Sequence, residues 1–312
     1  MKAVDCPDVS VVLLAYNHEQ FISDAVESIV GQDFDGTWEV LIADDASTDA
    51  TAERARDAAT GAPWVRLLDT PVNLGMQRNL RHALETAKGR YVALLEGDDR
   101  WTDRQKLQRQ FDLLESHPEF AAAGHLTEVL EVDDDGGETA AGWFCQGFAG
   151  AEELSFADVM TGVFPHASSL MYRRDLLSTT PAWFTGLHAA DWAVCGLLAQ
   201  QGGIGILQEP MSAYRKNSAS TWTPRPHLER KVIALENMVV FGRHMAVDDA
   251  AFNAEVARAH IRVASIAARE RRARLSAHHL RKAVTTSPGV PVAWLKGAVR
   301  RRTSLRGRSG PS

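Results

Sequence analysis

Glu96, Asp98 and Asp99 close the apolar run Val92 to Leu95 with three carboxylates. Hard oxygen ligands of this kind suit Mg2+ or Mn2+, and those ions suit phosphates. Taken alone, the stretch fits an acidic turn with a capping aspartate equally well. A second acidic pair, Asp44-Asp45, ends the run Val40 to Ala43, and Tyr16-Asn17 ends the run Val9 to Ala15. Asp191, followed by Trp192, could take a proton from a substrate or cap a helix. Arg78 could clamp a phosphate or sit idle on the surface.

The elements that must carry these residues follow from pattern. Val9–Ala15, Val40–Ala43, Val65–Leu68 and Val92–Leu95 are short β-branched or apolar runs, expected as buried strands. Between them lie amphipathic stretches: Phe21, Ile22, Ala25, Val26 and Ile29 on one face after a capping Asn17, a helix opened by Ser47-Thr48-Asp49 and running to about Ala59, and a helix over Met76–Lys88. The order β-α-β-α-β-α-β predicts a parallel, doubly wound sheet. Its strands end along one edge, so Ala15-Tyr16-Asn17, Asp44-Asp45 and Glu96 to Asp99 must converge on the crevice where open α/β sheets bind ligands. Carboxylates so close repel, and a cation or cationic side chain is expected among them. No Gly-x-Gly-x-x-Gly follows the first strand and no Gly-Lys-Ser/Thr loop occurs, which disfavours a dinucleotide fold and a phosphate-loop ATPase.

After Trp101 the alternation ends. A helix is expected over Asp103–Ser116, an extended stretch over Phe120–Asp133, and a hairpin turn at Asp133 to Gly137. A short helix over Ser155–Gly162, a strand over Ala167–Tyr172, a helix over Ala190–Gln201 and two short strands, Ile204–Leu207 and Met211–Tyr214, follow. Arg215 to Trp222 reads as a polar loop, and the chain from about His227 as helical. Val292–Arg302 fits a basic amphipathic helix, packed on the protein's own body or laid on a membrane surface.

With 312 residues, 45% hydrophobic and 24% charged, the chain can bury a large core. Its three cysteines form neither a metal spacing nor a disulfide framework, which suits a reducing cytosol. No signal peptide and no apolar run long enough to span a bilayer is found. Net charge is −6 even with the arginine-rich end, Arg300 to Arg308, so nucleic-acid binding is not expected. The basic tail could touch an anionic membrane or remain a solvated end.

These stretches, in this order, resemble the family 2 glycosyltransferases: Val9 to Asn17, Asp44-Asp45 to Asp49, Asn73-Leu74-Gly75 with Arg78-Asn79, Glu96 to Trp101, Asp191-Trp192, and Tyr214-Arg215 to Trp222. The resemblance covers about three quarters of the chain. It implies a GT-A-type, Rossmann-like mixed α/β sheet with helices on both faces and a C-terminal helical extension. Residues 1–226 would form the catalytic domain, with 1–101 the nucleotide-binding half and 102–226 the acceptor half. Residues 227–302 would be the extension and 303–312 a basic disordered tail. It implies a nucleoside-diphosphate sugar donor, UDP favoured, held by Ala15, Tyr16, Asn17, Asp45, Arg78 and Asp98. Asp98 and Asp99 would hold Mn2+ or Mg2+ on the diphosphate, and Asp191 would be the general base of an inverting transfer to an acceptor hydroxyl. A cytoplasmic enzyme of cell-surface polysaccharide or glycolipid assembly, in peripheral contact with the membrane, is the setting it suggests.

Two departures stand out. Many members carry a metal-contacting histidine where Asn217 stands here. The Gln-x-x-Arg-Trp motif of processive synthases is absent, which suits addition of one sugar per encounter. A sugar-phosphate nucleotidyltransferase would want a Gly-rich loop where Asn17-His18-Glu19 stands, and a non-catalytic nucleotide-sugar binder is the other alternative. Sugar and acceptor choice would rest on Trp143 to Phe148, His166 and Trp183 to His188. Trp101, Trp192 and Trp222 could stack on sugar faces or pack in the core.

Overall fold

In the computed structural model, the alternating runs of the first hundred residues build one side of a ten-stranded mixed sheet. The structure describes residues 6–294, apart from 146, 148, 149, 189, 218, 219, 221–224, 246, 248, 249 and 293. The expected basic tail, the arginines from 300 onward, Phe148 and Trp222 lie outside the described residues. The chain divides into two units, Met1–Thr223 and Pro224–Ser312.

In the first unit, β1 (Val9–Ala15), β2 (Trp38–Asp44), β3 (Val65–Asp69) and β4 (Tyr91–Glu96) pair in parallel in the order β3-β2-β1-β4. Side chains alternate across a strand, and both faces of this sheet are apolar. Val9, Val11, Leu13 and Ala15 of β1 join one core with Ile22, Val26 and Ile29 of α1 (Ile22–Val30) and Leu107 and Leu114 of α4 (Lys106–Ser116). Leu14 and Leu94 face the other way, beside Leu80 of α3 (Met76–Thr86) and Val194 of α6 (Asp191–Ala199). Helices therefore cover both faces.

Beyond β4 the sheet becomes mixed. β9 (Met171–Arg173) runs antiparallel to both β4 and β6 (Phe120–Val132). The Arg173 guanidinium stitches this seam, donating to Phe120 O at 2.9 Å, to Tyr91 Oη at 3.0 Å and to Leu114 O at 2.6 Å. β10 (Gly203–Lys216) pairs in parallel with β6, and β5 (Arg100–Trp101) closes the order against β10. Four strand spacings separate β4 from β5, about 19 Å across a flat sheet. The four-residue step from Glu96 to Arg100 reaches only about 14 Å. The sheet must curl, carrying β10 back toward the Glu96–Asp99 turn. β7 (Glu138–Trp143) forms the expected hairpin with β6, turned at Asp133 to Gly137 with Gly136 at φ 84°. β8 (Glu153–Leu154) pairs with β10, and α2 (Thr51–Ala58) and α5 (Phe156–Thr161) complete this unit's helices among the described residues.

Several boundaries differ from the sequence expectation. The two strands expected at 204–207 and 211–214 are one strand, β10, broken in register around Pro210, which has no N–H to give the ladder. The strand expected from Ala167 begins only at Met171, because Ala167–Ser169 winds into a 3₁₀ turn whose hydroxyls and amides bond locally to His166. Helix α4 starts at Lys106, since the Asp103 carboxylate holds the turn before it by accepting the Gln105 N–H at 2.8 Å. Helix α2 starts at Thr51, whose N–H donates to Asp49 Oδ1 at 3.0 Å.

In the second unit, α7 (His227–His244), α8 (Ala250–Arg269) and α9 (Ala273–Thr286) follow one another. Ala257, Ile261 and Ala283 form a small core between α8 and α9. Beside it, the buried His260 and His279 meet with Nδ1 atoms 2.9 Å apart. No helix among the described residues is long and apolar enough to cross a membrane.

Candidate active site

The C-terminal ends of β1, β2 and β4 meet, as parallel strands require. Asp45 N–H donates to Ala15 O at 2.9 Å and Gly97 N–H to Leu14 O at 2.7 Å. Tyr16 is exposed beside them. Asn17 does not cap α1, as expected from sequence. Its backbone is left-handed, φ 54°, and its amide ties β1 to the loop after β2. Asn17 N–H donates to Ser47 Oγ at 2.9 Å, and Asn17 Oδ1 accepts the Thr48 N–H at 2.9 Å. Asp45 is buried and fully engaged: its two oxygens accept the N–H groups of Leu74 at 2.6 Å and Gly75 at 2.8 Å. It thus holds the loop that leads into α3. Arg78, exposed in the first turn of that helix, has no ion-pair partner among the described residues.

The three carboxylates of the β4–β5 turn have different partners. Asp98 Oδ2 accepts the Asn217 side-chain amide at 3.3 Å and lies 4.0 Å from His18 Nε2. Asp99 is wholly buried on the other side. Its oxygens accept the Ser168 hydroxyl and, at 3.0 Å, the Arg215 N–H, with His166 Nδ1 3.5 Å away. Asp98 and Asp99 thus make different contacts, Asp98 with Asn217 and His18, Asp99 with Ser168, Arg215 and His166. Burial and the Asp98 charge hold the Asp99 carboxyl well above the usual range, against the hydrogen bonds of Ser168 and Arg215. Between Glu96 and Asp98 there is no room for a side chain: a Cβ on Gly97 would stand 2.7 Å from His18 Nδ1.

Glu96 and Asp191 come together in one pocket of about 30 Å3. Leu80 and Gln77 of α3, Leu94 of β4 and Val194 of α6 also line it. Burial raises Glu96 well above the ordinary carboxylate range, helped by the charges of Asp191, Asp99 and Asp98. Burial likewise raises Asp191. Asp191 is the first residue of α6 and Ala190 the capping one, so its carboxylate is not used as a helix cap.

Sequence reasoning missed the shell behind Asp99. Arg215, buried, donates from Nε to Glu138 and from Nη2 to Asp24, both at 2.6 Å, and its guanidinium lies 5.3 Å from the Phe21 ring centre. Arg100 makes a second, bidentate pair with Glu138. These two guanidinium groups hold the Glu138 carboxyl down at about 2 against the cost of burial. His166 stacks on Tyr214 at 4.5 Å, and burial depresses its pKa to about 3, which keeps it neutral. Glu96, Asp99 and His166 each offer one ligand atom within 4.8 Å of the others. Trp101 belongs to the core, its Nε1 donating to Ser168 O at 2.8 Å and the Lys106 ammonium lying over its ring at 3.8 Å. Trp192 Nε1 donates to Val159 O at 2.7 Å.

The sequence model of glycosyl transferase family 2 matches residues 10–179. An uncharacterized protein of Mycobacterium tuberculosis (strain ATCC 25618 / H37Rv) is 33% identical over 218 residues, 69% of this chain and 60% of the relative. The chain thus spans about 60% of the length of the curated relatives of that group. A putative glycosyltransferase of Bacillus subtilis (strain 168), EpsE, is 35% identical over 131 residues, 42% of this chain and 46% of that protein. Among solved structures, S. aureus TarS 1-349 in complex with UDP-GlcNAc superposes with a TM-score of 0.59 at 15% identity, covering 93% of this chain and 92% of that one. The mannosyltransferase PcManGT from Pyrobaculum calidifontis, in complex with GDP-Man and Mn2+, gives 0.59 at 19% identity over 97% and 83%. At these identities the two structures speak to the fold alone.

Proposed function

The chain belongs to glycosyl transferase family 2, and from that premise we propose that it transfers one sugar from a nucleoside-diphosphate sugar to an acceptor hydroxyl, with inversion at the anomeric carbon. The observation that carries the reading is the meeting of Glu96 and Asp191 in one pocket at the end of β4, next to the turn that presents Asp98. In this reading the labour is divided. Ala15, Tyr16, Asn17 and Asp45 form the shelf for the nucleoside, and Arg78 stands free to meet the diphosphate. Asp191 takes the acceptor proton while the acceptor oxygen bonds to the anomeric carbon. The bond from that carbon to the diphosphate oxygen breaks, and its electron pair leaves with the nucleoside diphosphate. Burial raises Asp191 and makes it a stronger base than a free carboxylate.

The residues fit a divalent ion. Asp98 is buried among acids, and among the described residues it has no guanidinium or ammonium partner, only the Asn217 amide at 3.3 Å and His18 Nε2 at 4.0 Å. Asp98, with the side-chain oxygen of Asn217 turned inward, would hold Mn2+ or Mg2+, and the bound ion would stabilise the negative charge of the leaving diphosphate. Asp99, which accepts Ser168 and the Arg215 N–H and lies beside His166, would stand with Asp98 as the second carboxylate of the metal site. UDP is the favoured nucleotide, and the putative teichuronic acid biosynthesis glycosyltransferase TuaG of Bacillus subtilis, 34% identical over 120 residues, supports a setting in cell-surface polysaccharide synthesis.

Calorimetric titration of the protein with UDP, GDP and dTDP, each with Mn2+ and with chelator, tests the reading. Binding of one nucleotide that disappears on chelation is expected. A folded protein that binds none of the three would overturn it.

A further inference from the structure

We propose that the pocket between Glu96 and Asp191 receives the acetamido group of a donor sugar that carries it on C2, so that the sugar transferred is an N-acetylhexosamine. The proposal rests on the glycosyltransferase reading above and names the sugar class of that same site.

Position is the first argument. A carboxylate that deprotonates the attacking hydroxyl stands close to the anomeric carbon, C1. C2 is bonded to C1, so its substituent is the nearest one on the ring, whereas C6 is separated from C1 by the ring oxygen and C5. The recess that contains Asp191 therefore adjoins the substituent on C2.

Size is the second. A recess of about 30 Å3 holds roughly two to three water-sized groups. A hydroxyl on C2 fills one of these places. The carbonyl and methyl of an acetamido group fill them all.

Chemistry is the third. Leu80, Leu170, Phe184 and Val194, all buried, form an apolar wall that offers a hydroxyl no partner and suits a methyl group. The polar members of the lining match the rest of the group: the Glu96 carboxylate accepts the amide N–H, and the Gln77 side chain on α3 supplies a donor for the carbonyl oxygen. Asp191 is left for the acceptor.

The test is calorimetric affinity, with Mn2+, for UDP-N-acetylglucosamine, UDP-glucose and UDP alone, or for the same two sugars on GDP or dTDP if that is the nucleotide bound. The acetamido sugar is expected to bind at least about tenfold more tightly than its hydroxyl counterpart, the discrimination a fitted apolar pocket gives. Val194→Phe, which fills the recess, should abolish the preference while free nucleotide still binds. Val194→Leu, a smaller intrusion, should reduce it if the first variant does not fold. Equal affinity of the two sugars for the wild-type protein, with the nucleotide bound, would overturn this proposal and leave the glycosyltransferase reading standing. Failure to bind any nucleotide would remove both.

Discussion

Asn217 points its side-chain amide at Asp98, across 3.3 Å, from the end of β10 on the far side of the sheet. The contact joins the two strands whose approach the curl of the sheet enforces, and it places a neutral side chain against a buried carboxylate of the site. Replacing that amide by a carboxylate should set two like charges together without metal and give a divalent ion a second charged ligand. Asn217→Asp is therefore expected to tighten Mn2+ binding in the presence of nucleotide several-fold. A Mn2+ titration showing unchanged or weaker binding would place Asn217 outside the reach of the ion.

Asp191→Asn keeps the shape of the pocket and removes the base. Transfer should fall by about 10²- to 10⁴-fold, the usual worth of a positioned proton acceptor, with nucleotide affinity nearly unchanged. Asp98→Asn should show the opposite pattern, a large loss of metal-dependent nucleotide binding. Steady-state rates and calorimetry on the two variants separate these roles, and wild-type turnover in Asp191→Asn would remove the aspartate from the chemistry.

The raised pKa of Asp191 has a kinetic signature. The base works only when ionised, so activity falls as pH drops through its pKa, and burial moves that point above the ordinary carboxylate value of about 4. The acid limb of the kcat/KM profile should accordingly lie at higher pH than a solvent-exposed aspartate would give. A limb at or below about 4 contradicts the assignment.

Arg215 is buried between Glu138 and Asp24, and removing it strands Glu138 beside Arg100 alone. Arg215→Met is expected to cost about 3 kcal/mol by denaturant unfolding, the loss typical of breaking a buried pair. Glu138 adds a pH dependence. Its folded pKa, about 2, lies below the ordinary value of 4.5, so its stabilisation is complete above 4.5 and is lost as pH falls through about 2. In Arg215→Met this acid-side loss should shrink.

In the helical unit, burial with the neighbouring charges of His279, Lys282 and His278 depresses His260 to about 4. His279 is also lowered, by burial and by His278. The neutral pair is stabilising above the unfolded value of about 6.5, and that contribution fades as pH drops through about 4. Thermal melting of the whole chain should lose stability between these pH values, and His260→Gln should flatten the slope. An unchanged slope would show that the two rings do not titrate as neighbours.

The N-terminal half of the sheet was legible because its signals are local. Val9–Ala15 and Val92–Leu95 can be little but buried strands, and parallel pairing then forces their ends together. The second half hid its structure for physical reasons. Pro210 looks like a strand breaker, yet it only displaces the register of β10. Ala167-Ser168-Ser169 has the composition of a strand start, but the Ser169 hydroxyl bonds locally to His166 O while the Ser168 hydroxyl is spent on the distant Asp99. That Asp99 is held by the Ser168 hydroxyl and the Arg215 N–H could not be read from two identical residues, since both partners are distant in sequence. The Arg215–Glu138–Arg100 cluster was invisible for the same reason: ion pairs across a sheet leave no periodicity.

The seam at β9 sets an order on the making of the protein. Strands β1 to β4 can pair as soon as they leave the ribosome, but β4 gains its other neighbour only when Met171–Arg173 exists. At about 5–20 residues per second, synthesis from Glu96 to Arg173 lasts roughly 4 to 15 s. Through that interval the apolar edge Tyr91 to Leu95 is bare, and a bare edge is a template for another nascent chain. Arg173, which donates to groups on both sides of the seam, is thus the residue whose arrival ends the exposure.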